Sequence, residues 1–191
     1  MKTILTLTAA CAFTAVPLVR AEPPVNRDVN AKEASTPMEM EKMFIQTAGK
    51  EGMVEVKLSK LATTMGSTEA IKDLGTMLMT DHSKVNTELM TIAKAKGVEI
   101  PPPDEKDMKM LEEISQMKGM DFDMAFLKAM SKCHKKDIAL FEKAQKECKD
   151  PDLKAFIDKT LPVLMAHSKK VEMAGKMQTP KDSDKGEKNG K

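Results

Sequence analysis

From Pro37 to Met177 the apolar side chains recur every three or four positions, and the pattern breaks only at Gly66-Ser67, Gly97 to Pro103, Gly119 and Asp150-Pro151. A half-buried strand needs an alternation of period two, so strands do not fit this chain. Composition closes the question: with no Trp, no Tyr and six Phe, the aromatics that strands draw on are scarce. The same scarcity leaves no platform for stacking nucleic-acid bases. The expected fold is all-α.

The breaks divide the chain into four long helices and one short one. The first begins after Thr36, with Pro37 at its first position and Glu39 and Glu41 in its first turn, and runs to Gly66. Thr68-Glu69 opens the second, which Gly97 closes, and Pro101-Pro102-Pro103 forbids continuation. A short helix over 104–118 ends at Gly119. The fourth helix starts near Asp121, and Asp150-Pro151-Asp152 turns into the last. The first and second helices, and the fourth and fifth, are joined by turns of a few residues, so each pair is an antiparallel hairpin. The stretch 97–119 is long enough to cross between the hairpins. Two long hairpins joined by a crossover that carries a short helix make a ferritin-like four-helix bundle. Pro162 lies inside the last helix and frees the carbonyl of Asp158, which predicts a kink.

The ends read differently. Lys2, the apolar run from Ile4 to Val16, and Val19 and Ala21 before Glu22 have the layout of a cleavable secretory signal over 1–21. The run is too short to cross a bilayer, which takes about 20 apolar residues. Export to the periplasm or cell envelope is therefore expected, without a membrane span. Cleavage removes Lys2 and Arg20 from the 31 basic residues and nothing from the 29 acidic ones, so the net charge of +2 disappears. No basic footprint for nucleic acid remains. Residues 22–36 read as a disordered lead-in and 178–191 as a disordered polar tail, leaving 37–177 as the domain. Cys133 and Cys148 fall on one helix, about 22 Å apart at 1.5 Å per residue, which is beyond disulfide reach.

The chain has three histidines, and each sits on the apolar stripe of a different long helix: His82 between Leu78 and Val85, His134 between Met130 and Ile138, His167 between Leu164 and Val171. His134 and His167 are equidistant from the Asp150-Pro151 turn, so they face each other across the second hairpin. Mirroring His82 through the Gly66-Ser67 turn lands on Glu51, with Glu55 one helical turn further along the same stripe. A layer of three imidazoles and one or two carboxylates follows. Such convergence builds metal sites in helical bundles, and zinc, copper or iron suits the donors. Glu55, His82, His134 and His167 are the first candidates as ligands, with Glu51, Asp81 and Asp137 behind them. The competing reading makes this an envelope stress or scaffold protein whose histidines are structural, hydrogen-bonded to Glu55, Asn86, Asp81 or Asp137. A dinuclear-metal oxidoreductase fits less well: that site needs Glu-x-x-His on two helices, and the positions three before the histidines are Met79, Ser131 and Leu164. Motifs for nucleophilic catalysis and phosphate binding are absent, and the chain reads as non-enzymatic. The 18 methionines invite Cu(I), for which thioethers are soft ligands. In a chain so poor in aromatics, the expectation is that most of them fill the core.

The run Ala48-Gly-Lys-Glu-Gly-Met-Val-Glu55-Val-Lys-Leu58-Ser-Lys-Leu61-Ala62, then Met79-Thr-Asp81-His82-Ser-Lys-Val-Asn86, then His134-Lys, then Leu161-Pro162-Val-Leu-Met-Ala-His167, resembles the exported bacterial ferritin-like domain family of unknown function numbered 4142. The resemblance covers about 38–177. It implies a helical bundle in the periplasm or envelope and singles out Glu55 over Glu51, together with Asp81-His82, Asn86, His134, Pro162 and His167. Members are often labelled outer-membrane proteins, yet no barrel strands are written in this sequence. The resemblance brings no activity with it.

Overall fold

The computed structural model describes residues 36–178, which form five helices: α1 (Pro37–Met65), α2 (Glu69–Ala95), α3 (Glu105–Ser115), α4 (Gly119–Glu147) and α5 (Pro151–Gln178). No strand occurs among the described residues. The expected leader, and all but the edges of the expected lead-in and tail, lie outside them.

Local chemistry sets the helix ends. Thr36 and Glu39 form a capping box in which each side chain accepts from the other's backbone N–H, with Pro37 in the first turn. Thr68 and Asp104 cap α2 and α3 in the same way, each accepting from the N–H three residues on. Asp150 Oδ1 accepts from Leu153 N at 2.9 Å and starts α5. Gly97 lies at φ 64° just beyond α2, a left-handed backbone that glycine adopts without strain. The short helix stops at Ser115 rather than running to 118, and α4 starts at Gly119, two residues before Asp121. Helix α5 runs through Pro162 unbroken.

The seams between helices give their directions. Along α1 and α2, Ala62 meets Gly75 and Gly52 meets Asn86. Along α4 and α5, His134 meets His167, Phe141 meets Phe156, and the Gln145 carbonyl accepts from Lys154 Nζ. Helix α1 packs on α4 through Phe44 with Phe141, Glu51 with Lys136 and Glu55 with His134. Helix α2 packs on α5 through Asp81 with His167, Glu88 with Lys159 and Lys96 with Asp150. In all four seams residue numbers rise on one helix as they fall on the other, so every neighbouring pair of long helices is antiparallel. Helix α3 lies against α1 and α4, held by the Lys50–Asp104 ion pair and by Leu111 and Ile114, which enter the core.

The core is in two parts. One gathers Val54, Leu58, Leu74, Leu78, Phe122, Phe126, Met130 and their neighbours. The other gathers Phe44, Ile45, Leu89, Phe141, Phe156, Ile157 and theirs. Between them lie buried polar side chains: Glu55, His82, His134, Asp137 and His167.

The methionines overturn one expectation. Among the described residues only Met130 is fully buried, while ten others are exposed. Leu, Ile, Val and Phe, with the alanines and glycines at the seams, fill the interior instead. Antiparallel helices this close leave room for short or branched side chains, and the long thioethers are turned outward. Cys133 lies within α4 and Cys148 caps its C-terminal end, and both are free and buried.

Candidate metal centre

The register of the α1–α2 hairpin decides which carboxylate meets His82. Gly75 lies so close to α1 that a Cβ there would stand 2.7 Å from the Ala62 Cβ. That seam places Glu55 opposite His82: Glu55 Oε2 is 3.1 Å from His82 Nδ1. Glu51, the residue reached by mirroring, lies one turn away and pairs with Lys136 at 3.7 Å. It does not join the layer.

The three imidazoles converge as their heights along the helices require. Ring centroids are 5.2 Å apart for His82–His134, 5.1 Å for His82–His167 and 5.6 Å for His134–His167. None of the three residues is more than 3% exposed. One nitrogen of each ring is held by an acceptor. His82 Nδ1 faces Glu55 Oε2. His134 Nδ1 stands 3.0 Å from the carbonyl of Met130, and His167 Nε2 stands 3.1 Å from Asp81 Oδ2. A carbonyl oxygen only accepts, so Nδ1 of His134 carries the hydrogen; the Asp81 carboxylate fixes His167 in the same way. The other nitrogens, His82 Nε2, His134 Nε2 and His167 Nδ1, have no hydrogen-bond partner among the described residues. The three rings present ligand atoms within 4.8 Å of one another.

Burial sets the charge state. Loss of hydration pushes the His82 pKa well below its usual value, and the two neighbouring rings push it further. His134 falls to about 4 by burial, against the opposing Met130 hydrogen bond. His167 is lowered by burial and partly restored by Asp81. All three rings are neutral at pH 7, and on His134 and His167 the unpartnered nitrogen is left without a hydrogen. Glu55 and Asp137 lie within hydrogen-bonding reach of one another. Burial raises the pKa of both, that of Asp137 to about 7, so the two carboxyls share a proton. The Glu55–His82 contact is therefore a hydrogen bond rather than an ion pair. The Cys133 thiol on the same side of α4 is pushed to about 12 by burial and by the nearby acids, which keeps it protonated.

The structure thus brings His82, His134 and His167 together, sets Glu55 and Asp81 behind them as acceptors, puts Asp137 against Glu55, and leaves Glu51 outside. Asn86 lies beside Gly52 on the α1–α2 seam, one helical turn beyond His82 on α2. Sequence reasoning missed the carbonyl of Met130; the only available signal was its place four residues before His134 on a helix. It also missed Asp123, which is fully buried and accepts from Ser67 N at 2.9 Å and from the Ser67 hydroxyl. An acid beside Phe122 on the inward face of α4 was its one trace.

Three neutral imidazoles that bring ligand atoms within 4.8 Å of one another can accept a cation. No curated protein and no solved structure matches this chain. The family described as Domain of unknown function (DUF4142) matches residues 27–174, a span that contains every residue of the histidine layer. The chain belongs to the DUF4142 family.

Proposed function

We propose that this protein is an exported ferritin-like four-helix bundle that binds one transition-metal ion at His82, His134 and His167. The observation that carries the reading is that each imidazole has one nitrogen spoken for and the other unpartnered, with the three rings offering ligand atoms within 4.8 Å. An unsatisfied buried polar atom costs about 1–3 kcal/mol, and three at one point are a large expense for a purely structural layer. A cation removes it. At the centre of such a triangle an ion lies at most about 2.8 Å from each nitrogen, and small rotamer shifts bring the rings to bonding distance, about 2.0–2.1 Å. Glu55, Asp81 and the Met130 carbonyl supply the outer hydrogen bonds that orient metal-binding imidazoles. Glu55 thus serves behind the ligands rather than among them. Helix α3 within the crossover and the antiparallel seams support the ferritin-like description, and the layout of residues 1–21 supports export.

Metal binding to the folded form alone raises its melting temperature. Protein prepared without chelator or affinity metal should melt higher in Zn²⁺, Co²⁺ or reduced copper at pH 7.5, and His134→Ala should abolish the rise while leaving the metal-free protein folded. A layer that only braces the helices gives the opposite result: no ion shifts the wild type, and His134→Ala lowers metal-free stability.

A further inference from the structure

We infer that the ion held by His82, His134 and His167 is monovalent copper, Cu(I), and that the surface methionines are the soft ligands that collect it. This rests on the metal reading above and names its ion. Two independent observations lead to it, one in the core and one on the surface.

The core offers three neutral imidazoles, and among the described residues no cysteine or carboxylate joins them as a fourth ligand. The nearest carboxylates are turned to the far nitrogens: Glu55 to Nδ1 of His82 and Asp81 to Nε2 of His167. The rings are 0–3% exposed, so bulk solvent does not reach them. A zinc site takes four ligands and keeps water in any position the protein leaves open. Cu(I) has a filled d shell and is satisfied by three nitrogens in a plane. Charge points the same way. The cost of taking an ion out of water grows with the square of its charge, so a monovalent ion pays about a quarter of what a divalent one does at the same radius.

Ten thioethers stand exposed on the described residues, with no other large apolar side chain exposed among them. Among the described residues every exposed large hydrophobic side chain is a methionine: Met38, Met43, Met90, Met108, Met117, Met120, Met124, Met165, Met173 and Met177. Chance exposure of apolar residues would include leucine and isoleucine, which are common in these helices and absent from that set. What separates methionine from leucine is sulfur, and thioether sulfur selects Cu(I) over divalent ions. Met117 and Met124 line one open cavity where α3 passes into α4, and Val171, Gly175 and Lys176 of α5 form its other wall. Met120, Met173 and Met177 belong to the same two helix ends. Loosely bound Cu(I) at these sulfurs, passed inward to the tighter imidazoles, uses both features.

The test is an oxygen-free titration of the wild-type protein with Cu(I) buffered by a chromophoric chelator, with Zn²⁺ and Co²⁺ titrated in parallel. One Cu(I) should bind at least 100-fold more tightly than Zn²⁺, and X-ray absorption should show three nitrogen neighbours and no sulfur. His134→Gln and His167→Gln should each abolish that tight site. Replacing Met117, Met120 and Met124 together by Leu should leave it intact, remove part of a weaker sulfur-bound population and slow loading. Zn²⁺ or Co²⁺ held within 100-fold of Cu(I) overturns the choice of ion while leaving the metal reading standing. A tight Cu(I) site that keeps sulfur ligands in both histidine variants overturns the assignment to the triad. Unchanged loading in the triple Leu variant removes the collecting role. If the wild type binds no ion at all, this inference and the metal reading fall together.

Discussion

His134 stays neutral because it is buried, and that has a stability consequence with a definite sign. In the unfolded chain an imidazole takes up a proton near pH 6.5, whereas folded His134 resists until about 4. Between those values acid favours the unfolded state, by about 3 kcal/mol for a shift of this size. His82 and His167 are displaced the same way. Asp137 works in the other direction. Its folded form keeps until about pH 7 a proton that the unfolded chain has released above its ordinary 3.8, so acidification over that range relieves a buried charge. The two trends oppose, and the metal-free wild type should show a shallow stability profile between pH 7 and 4. Asp137→Asn removes one of them while keeping an amide to hydrogen-bond Glu55. The variant should be more stable at pH 7.5, by about 1–3 kcal/mol, because a buried carboxylate is gone. It should then lose stability more steeply than the wild type below pH 6.5. Urea unfolding across this pH range checks both; identical slopes would show that Asp137 does not hold the proton. The three histidines and their common height were legible from spacing because a helix advances evenly and the Asp150 turn is tight. Their tautomers were not, since a backbone carbonyl and the choice between two carboxylates decide them.

At the scale of helices, the α1–α2 seam sets the register on which the site depends. A Cβ on Gly75 would meet the Ala62 Cβ at 2.7 Å and the Ser59 carbonyl and Thr63 nitrogen at 3.0 Å. Two of those three contacts are backbone, which cannot swing aside. Gly75→Ala should therefore force α1 from α2 and cost about 1–3 kcal/mol, although alanine is the better helix former. If thermal unfolding showed a gain, propensity would have won and the seam would be slack. The displacement should also part Glu55 from His82 and weaken metal binding, although no ligand is touched. This seam explains why mirroring through Gly66-Ser67 gave Glu51 first. The loop residues do not share the turn symmetrically, and the register follows the small residues that let the backbones approach, Gly52 and Gly75, rather than the position of the break. Helix limits were readable because caps and glycines are local chemistry. The direction of the methionines was not, because helical spacing alone does not distinguish a stripe of methionines that packs from one that faces water.

Across the described residues the molecule carries two apolar cores with a polar layer between them. Helix count and hairpin pairing were legible because each depends on turn length and period. The division of the core was only half legible, since the histidines announced a layer but the buried pair Glu55–Asp137 that widens it did not stand out from other acids on α1 and α4. That division bears on how the protein opens. Without metal, the neighbours of the layer gain little from each other, and the two halves, one around Phe126 and Leu78 and the other around Phe141 and Phe156, are free to fluctuate as separate cooperative units. Amide hydrogen exchange on metal-free protein should then show two blocks with distinct protection, divided near His82 on α2 and near His134 on α4. An ion at the three nitrogens ties α2, α4 and α5 at that level, and the two blocks should merge into one slow population. A single block in the metal-free state would mean that the layer already transmits opening from one end of the helices to the other. With two blocks, occupancy of one buried point decides whether the helices breathe in halves or as a unit, and a reader of that motion at either end would sense the metal without touching it.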